Sequence, residues 1–202
     1  MSLPVVLRRI AAGLLFSAVT AFAAPTLPAP STDVPLAKEP GKQTAVFAGG
    51  CFWGVQSVFQ RVKGVLHTTA GYSGGSAKTA TYEQVVTETT GHAESVEVTY
   101  DPSRITYGQL LRIYFSVVHD PTQLNRQGPD VGTSYRSAIF YFDTGQKTVA
   151  EHVRDNIQSS NKKPIVTQIV SAGPFYPAEE YHQKYSQKTG IGMCHIPYKA
   201  IN

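Results

Sequence analysis

Cysteine is scarce in this chain. Its 202 residues contain two, Cys51 and Cys194, together with one tryptophan and two methionines. Two cysteines close at most one bridge, so a disulfide-rich scaffold is excluded. Charge is sparse as well: 16% of residues are charged, with no cluster of Lys or Arg. The electrostatic footprint of a nucleic-acid binder is therefore missing. The six histidines, His67, His92, His119, His152, His182 and His195, form no metal-type repeat with the cysteines, and the adjacent pair Cys194-His195 is too little for a zinc site.

What is present is an ordinary globular balance, 42% hydrophobic, in a chain long enough for one domain with a real core. The N-terminus stands apart. Arg8 and Arg9 precede an apolar run from Ile10 to Val19, and Ala21-Phe22-Ala23 follows. A basic start, a short apolar run and a small-x-small site predict a secretory signal peptide over 1–23, cleaved before Ala24, and export to the periplasm. An uncleaved anchor is the alternative, although the run is short for a membrane span; after cleavage no stable membrane association is expected. Removing Arg8 and Arg9 lowers the formal charge from +4 to +2. Residues 24–42 carry Pro25, Pro28, Pro30, Pro35 and Pro40 and read as a flexible or extended linker. The folded domain is expected over 43–202.

Within it, Thr44 to Ala48 is a β-prone run ending at Gly49-Gly50. Phe52, Val55, Val58, Phe59 and Val62 then follow at helical spacing. Val65 to Gly71 is a second strand candidate, and Gly71-Tyr72-Ser73-Gly74-Gly75 reads as a loop. Ser95 to Tyr100 alternates strictly and predicts a strand. Thr106 is a cap candidate for an amphipathic helix through Tyr107, Leu110, Leu111, Tyr114, Phe115 and Val118. A polar loop over Thr122 to Gly132 leads to a strand from Tyr135 to Phe142, a helix from Gln146 to Ile157 and a strand from Ile165 to Val170. Ala178 to Gln187 reads as a short helix, and Thr189 to Asn202 as a loop-like tail. The order predicts an α+β two-layer sandwich, a ferredoxin-like βαββαβ core with a mixed sheet.

Cys51 opens the first helix. A helix N-terminus offers unpaired N–H groups and partial positive charge, which should lower a thiol's pKa and favour the nucleophilic thiolate. A buried core cysteine or half of a structural disulfide are the plainer readings. Phe52 and Trp53 serve either as core aromatics or as an apolar slot for a small group such as an S-methyl. Glu94 shares the parity of Val96, Val98 and Tyr100. Extending that strand by two residues aims its carboxyl at the core, where a raised pKa suits a general acid; a strand that begins after Glu94 would leave the carboxyl in solvent.

Several stretches together resemble the A-type peptide methionine sulfoxide reductases: Gly50-Cys51-Phe52-Trp53-Gly54, Gly71-Tyr72-Ser73-Gly74-Gly75, Gly91-His92-Ala93-Glu94, Tyr100-Asp101-Pro102, His119-Asp120-Pro121-Thr122, Asn125-Arg126-Gln127-Gly128, Asp130-Val131-Gly132-Thr133, Tyr135-Arg136-Ser137 and Ala178-Glu179-Glu180-Tyr181-His182-Gln183. The resemblance runs from about Thr44 to the end. It implies reduction of methionine sulfoxide, free or in proteins, with preference for the S epimer at sulfur. It further implies that Cys51 attacks the sulfoxide sulfur and Glu94 protonates its oxygen. Tyr82 and Tyr135 would donate hydrogen bonds to that oxygen, Asp130 would belong to a polar network holding water, and Phe52 and Trp53 would receive the methyl group. The resulting sulfenic acid would condense with Cys194, the resolving cysteine, and a thioredoxin-like dithiol would reduce the disulfide. The resemblance implies no metal or organic cofactor, and the enzyme is expected to be a monomer.

Two positions depart from the family pattern: Met193, where tyrosine is common, and Ser134, where glutamine is frequent. Two rival readings stay open on sequence alone. One is a secreted binding domain stapled by Cys51–Cys194; the other is a cysteine hydrolase using His182 or His195.

Overall fold

A computed structural model describes residues 33–192 and 194–196 of the chain. The expected signal peptide, the linker up to residue 32, Met193 and the last six residues lie outside the described residues. Six strands form one sheet: β1 (Gln43–Gly49), β2 (Val65–Ser73), β3 (Ala93–Tyr100), β6 (Ser137–Tyr141), β7 (Gln168–Ser171) and β8 (Tyr176–Pro177), ordered β7-β6-β1-β3-β2-β8. A second, two-stranded ribbon pairs β4 (Arg126–Gln127) with β5 (Asp130–Val131). The helices are α1 (Phe52–Phe59), α2 (Tyr82–Val85), α3 (Tyr107–Ile113), α4 (Thr144–Ser160) and α5 (Tyr185–Thr189).

The central strands β6-β1-β3-β2 pair antiparallel throughout, in the order of a βαββαβ unit. β7 adds to one edge in parallel, after the α4 crossover, and β8 adds to the other. The sheet is mixed and the fold is α+β, as the pattern predicted. Alternation decides which residues meet. Ala45 and Phe47 of β1 join the large core under the helices, while Val46 and Ala48 join a smaller cluster with Ala93, Ala138 and Phe140 on the opposite face. All six apolar positions of the helix expected after Thr106 are buried, although regular α3 ends at Ile113 and Tyr114–Val118 continues as a wider π turn. The Tyr114 hydroxyl donates to the Ala48 carbonyl at 2.7 Å and ties this turn to β1.

Several boundaries differ from expectation. Gly71, Tyr72 and Ser73 are strand rather than loop, paired with Ser95, Glu94 and Ala93. Their turn begins only at Gly74, where φ is +98°. Val62 lies beyond α1 in a turn, its N–H donating to the Phe59 carbonyl. Tyr135 is not in a strand but ends a tight turn over Thr133–Tyr135. The strand predicted from Ile165 starts three residues later, because the Ile165 N–H donates to the Gln158 side chain and that of Val166 to the Pro121 carbonyl. The helix expected over Ala178–Gln187 does not form as one piece. The Gln183 side chain instead donates to the carbonyls of Ala70 and Ala178 and accepts from the Ala70 N–H at 2.9 Å. Lys184 then takes a left-handed φ of +55°, which breaks the segment into a turn over Glu180–His182 and the short α5.

The described part of the linker is tied down on the domain. Asp33 accepts from the Thr106 hydroxyl and from the Gly108 N–H, and the Ala37 N–H donates to the Pro102 carbonyl at 2.9 Å. Thr106 also makes a full capping box with Gln109. Thr106→Ala should therefore cost about 1 kcal/mol or somewhat more. Urea unfolding should show this as a lower midpoint with an unchanged slope; an unchanged midpoint would contradict the cap.

Candidate functional site

Cys51 is the N-cap of α1, 8% exposed, and follows Gly50 at φ +90°. The first N–H of the helix, that of Phe52, does not serve the thiol. It donates at 2.9 Å to Oε2 of Glu94, which is 3% exposed and reaches across from β3. Strand parity thus places Glu94 on the helix-facing side. Burial raises its pKa to about 8, against the lowering effect of the Phe52 N–H, with the Asp130 and Glu88 charges adding to the rise. At neutral pH the carboxyl is mostly protonated.

The thiol departs from expectation. Cys51 is pushed well above the ordinary thiol range, first by a hydrogen bond with the Cys194 side chain, then by burial, then by the Glu94 charge. Only the Trp53 N–H opposes this. The nearest donor of the helix terminus, the Phe52 N–H, is committed to Glu94, and the Trp53 N–H alone does not offset the influences that raise the thiol. Both cysteines are free, Cys51 buried and Cys194 exposed.

The tyrosines named from the sequence converge here. Tyr82 opens α2, and its phenol is raised by burial, then by the Glu94 and Cys51 charges. Tyr135 is raised by burial, Glu94, Cys51, Asp130 and Tyr82, in that order. Asp130, on β5, belongs to the same electrostatic neighbourhood, and its Oδ2 is buried without a hydrogen-bond partner among the described residues. Phe52 is 1% exposed and packs in the main core beside Tyr72 and His182. Trp53 is half-buried, stacks on Tyr185 with centroids 3.8 Å apart and donates through Nε1 to His182 Nδ1 at 3.0 Å. No group of three or more potential metal ligands occurs among the described residues.

A family model described as peptide methionine sulfoxide reductase matches residues 43–202. The chain belongs to that family. Peptide methionine sulfoxide reductase MsrA 2 of Mesorhizobium japonicum is 59% identical over 148 residues, 72% of this chain and 76% of that protein. MsrA of Geobacter sulfurreducens is 53% identical over 154 residues, 75% and 94% of the two chains. Among solved structures, Mxr1 from Saccharomyces cerevisiae in reduced form aligns with TM-score 0.71 and 31% identity, covering 77% of this chain and 92% of that one. The chain is an oxidoreductase of this family, a peptide-methionine (S)-S-oxide reductase that acts through thiol chemistry.

Four residues around the site had no part in the reductase reading of the sequence. Glu88, at φ +63°, accepts from the Ser134 N–H (2.8 Å), the Ser134 hydroxyl (2.6 Å) and the Thr133 hydroxyl (2.9 Å). Arg136 donates to the carbonyls of Gly91, His92 and Thr133. Between them they fix the turn that carries Tyr135. Glu179 accepts from the Tyr72 hydroxyl and the Tyr82 N–H. His182, 2% exposed, lies with its ring 4.5 Å from that of Tyr82, and burial lowers its pKa. Nothing local marks Glu88. Arg136 and Glu179 sat inside quoted motifs but carried no role, and His182 was named only for the rival hydrolase.

The Glu94 shift has a consequence for stability. Its folded pKa lies above its ordinary value of 4.5, so the folded state holds a proton that the unfolded chain releases. Stability from this group is full below pH 4.5 and falls as pH rises towards 8. Relative to Glu94→Gln, the wild type should lose a few kcal/mol between pH 5 and pH 8 in urea titrations. Parallel curves for the two proteins would contradict a buried neutral carboxyl.

Proposed function

We propose that Cys51 is the nucleophile, Glu94 the general acid and Cys194 the resolving thiol of this reductase. The observation that carries the assignment is the buried, protonated Glu94 carboxyl held by the first N–H of the helix that Cys51 caps. Methionine S-sulfoxide enters beside Cys51, displacing the Cys194 thiol and with it the largest influence holding the Cys51 proton in place. The Cys51 sulfur attacks the sulfoxide sulfur while Glu94 gives its proton to the sulfoxide oxygen. The oxygen moves to Cys51, methionine leaves, and the proton from the Cys51 thiol replaces the one Glu94 supplied. Tyr82 and Tyr135, phenols that burial keeps protonated, donate hydrogen bonds to the same oxygen. Asp130 contributes its unpartnered carboxylate oxygen to a water network. Phe52 and Trp53 supply apolar surface for the methyl group.

The sulfenic acid on Cys51 then condenses with Cys194 to a disulfide and water. A thioredoxin-like dithiol reduces that disulfide through the exposed Cys194. The basic start, apolar run and cleavage-like site of residues 1–23 support export to the periplasm. There a dedicated reductant would have to keep the pair reduced. A monomeric enzyme is part of this proposal. A Cys–His hydrolase has no support in the described contacts: His182 Nδ1 accepts from the Trp53 indole, and His195 Nε2 donates to the Val118 carbonyl.

An epimer-resolved assay with dithiothreitol tests the assignment. Cys51→Ser should lose about a thousandfold or more in turnover, and Glu94→Gln about 10²–10⁴-fold. Cys194→Ser should still release one methionine per chain but lose recycling by thioredoxin. Full activity in Cys51→Ser would overturn the nucleophile, and an unchanged rate in Glu94→Gln the acid.

A further inference from the structure

The sequence suggests a loop-like tail that merely brings Cys194 along. The described tail is instead pinned on both sides of that cysteine. Upstream, Gly192 packs on Trp53 and Tyr185, and its carbonyl accepts from the Ser186 hydroxyl at 3.1 Å. Downstream, Ile196 is 4% exposed and belongs to the main core. Between these points Cys194 is exposed and takes a left-handed φ of +52°. A non-glycine residue rarely adopts that conformation unless its surroundings impose it.

His195 adds a further restraint on the same side. Its ring Nε2–H donates to the Val118 carbonyl at 2.8 Å, at the end of the turn that follows α3. The ring sits in a socket cut for it. A Cβ at Gly50, the residue before Cys51, would lie 2.5 Å from His195 Cε1 and 2.7 Å from Gln127 Cβ. A Cβ at Gly128 would lie 3.0 Å from His195 Cβ. Gly50 and Gly128 both have positive φ, so the backbone next to the nucleophile leaves room for this side chain. His195 therefore contacts the residue preceding one reacting sulfur and directly follows the residue bearing the other.

We propose that His195 is the positioning residue that seats Cys194 against Cys51 for the condensation step. This rests on the reduction cycle above. Disulfide formation needs the Cys194 sulfur aligned on the Cys51 sulfenic sulfur, and a tail free to wander loses that effective concentration. In the step, the S–OH bond of Cys51 breaks, the Cys51–Cys194 S–S bond forms, and the oxygen leaves as water with the Cys194 proton. Its role in the step is to hold the backbone that carries one of the two sulfurs.

Single-turnover reactions without reductant separate the two stages. The reduced wild type, His195→Ala and His195→Gln are each mixed with the S-sulfoxide. Methionine release is followed beside the lifetime of the dimedone-reactive sulfenic acid and the loss of the second thiol. His195→Ala should release one methionine per chain at the wild-type rate while its sulfenic acid persists about tenfold longer or more. His195→Gln, which keeps an N–H at similar reach, should recover most of the condensation rate. Disulfide formation at the wild-type rate in His195→Ala, or loss of its methionine burst, would overturn the proposal. No methionine from the wild type would instead overturn the reductase reading on which it rests.

Discussion

A single hydrogen bond joins the two halves of the site. The Phe52 N–H at the start of α1 donates to the Glu94 carboxyl on β3, and both partners are buried. An unsatisfied amide there would cost the helix start, and a bare carboxylate would cost far more. The compromise is a carboxyl that keeps its proton near neutral pH. The same bond diverts the helix terminus from Cys51, so the thiol is not primed by its position alone. Its reactivity depends on what surrounds it, and in this state the principal neighbour is Cys194.

The surrounding architecture fixes that geometry from several directions. β3 sits between β1 and β2 in the middle of the sheet, which makes Glu94 hard to displace. α1 follows β1 through Gly49 and Gly50, close to Val118 and His195. Tyr135 is held by a turn that Glu88 and Arg136 clamp from opposite ends. Tyr82 is held through its backbone by Glu179, which also takes the Tyr72 hydroxyl. The donors around the site are thus placed by side chains that need not touch substrate, as preorganised catalysis requires.

Much of this was legible in the sequence because it depends on local periodicity. The alternation from Ser95 to Tyr100, carried back one residue, located Glu94 and the side it faces. The apolar spacing after Thr106 marked the buried face of α3, and Thr106 itself proved to be a cap. What escaped depends on long-range partners. Tyr72 and Ser73 look like loop residues, yet pairing with Glu94 and Ala93 makes them strand. Gln183 looks helical, but the Ala70 and Ala178 carbonyls take its side chain. The thiol shift at Cys51 could not be read from a helix start, because its largest cause lies 143 residues away in the chain, at Cys194. Nor does any pattern announce that Glu88 supports Tyr135, since the link runs through Thr133 and Ser134.

The central claim is that Glu94 is a neutral acid at working pH. Infrared difference spectroscopy across a pH titration tests it most directly, with Glu94→Gln identifying the band. A protonated carboxyl stretch that is missing from Glu94→Gln and disappears with a midpoint near 8 is the result the account predicts. A Glu94 carboxyl that is already ionised at pH 6 would contradict it.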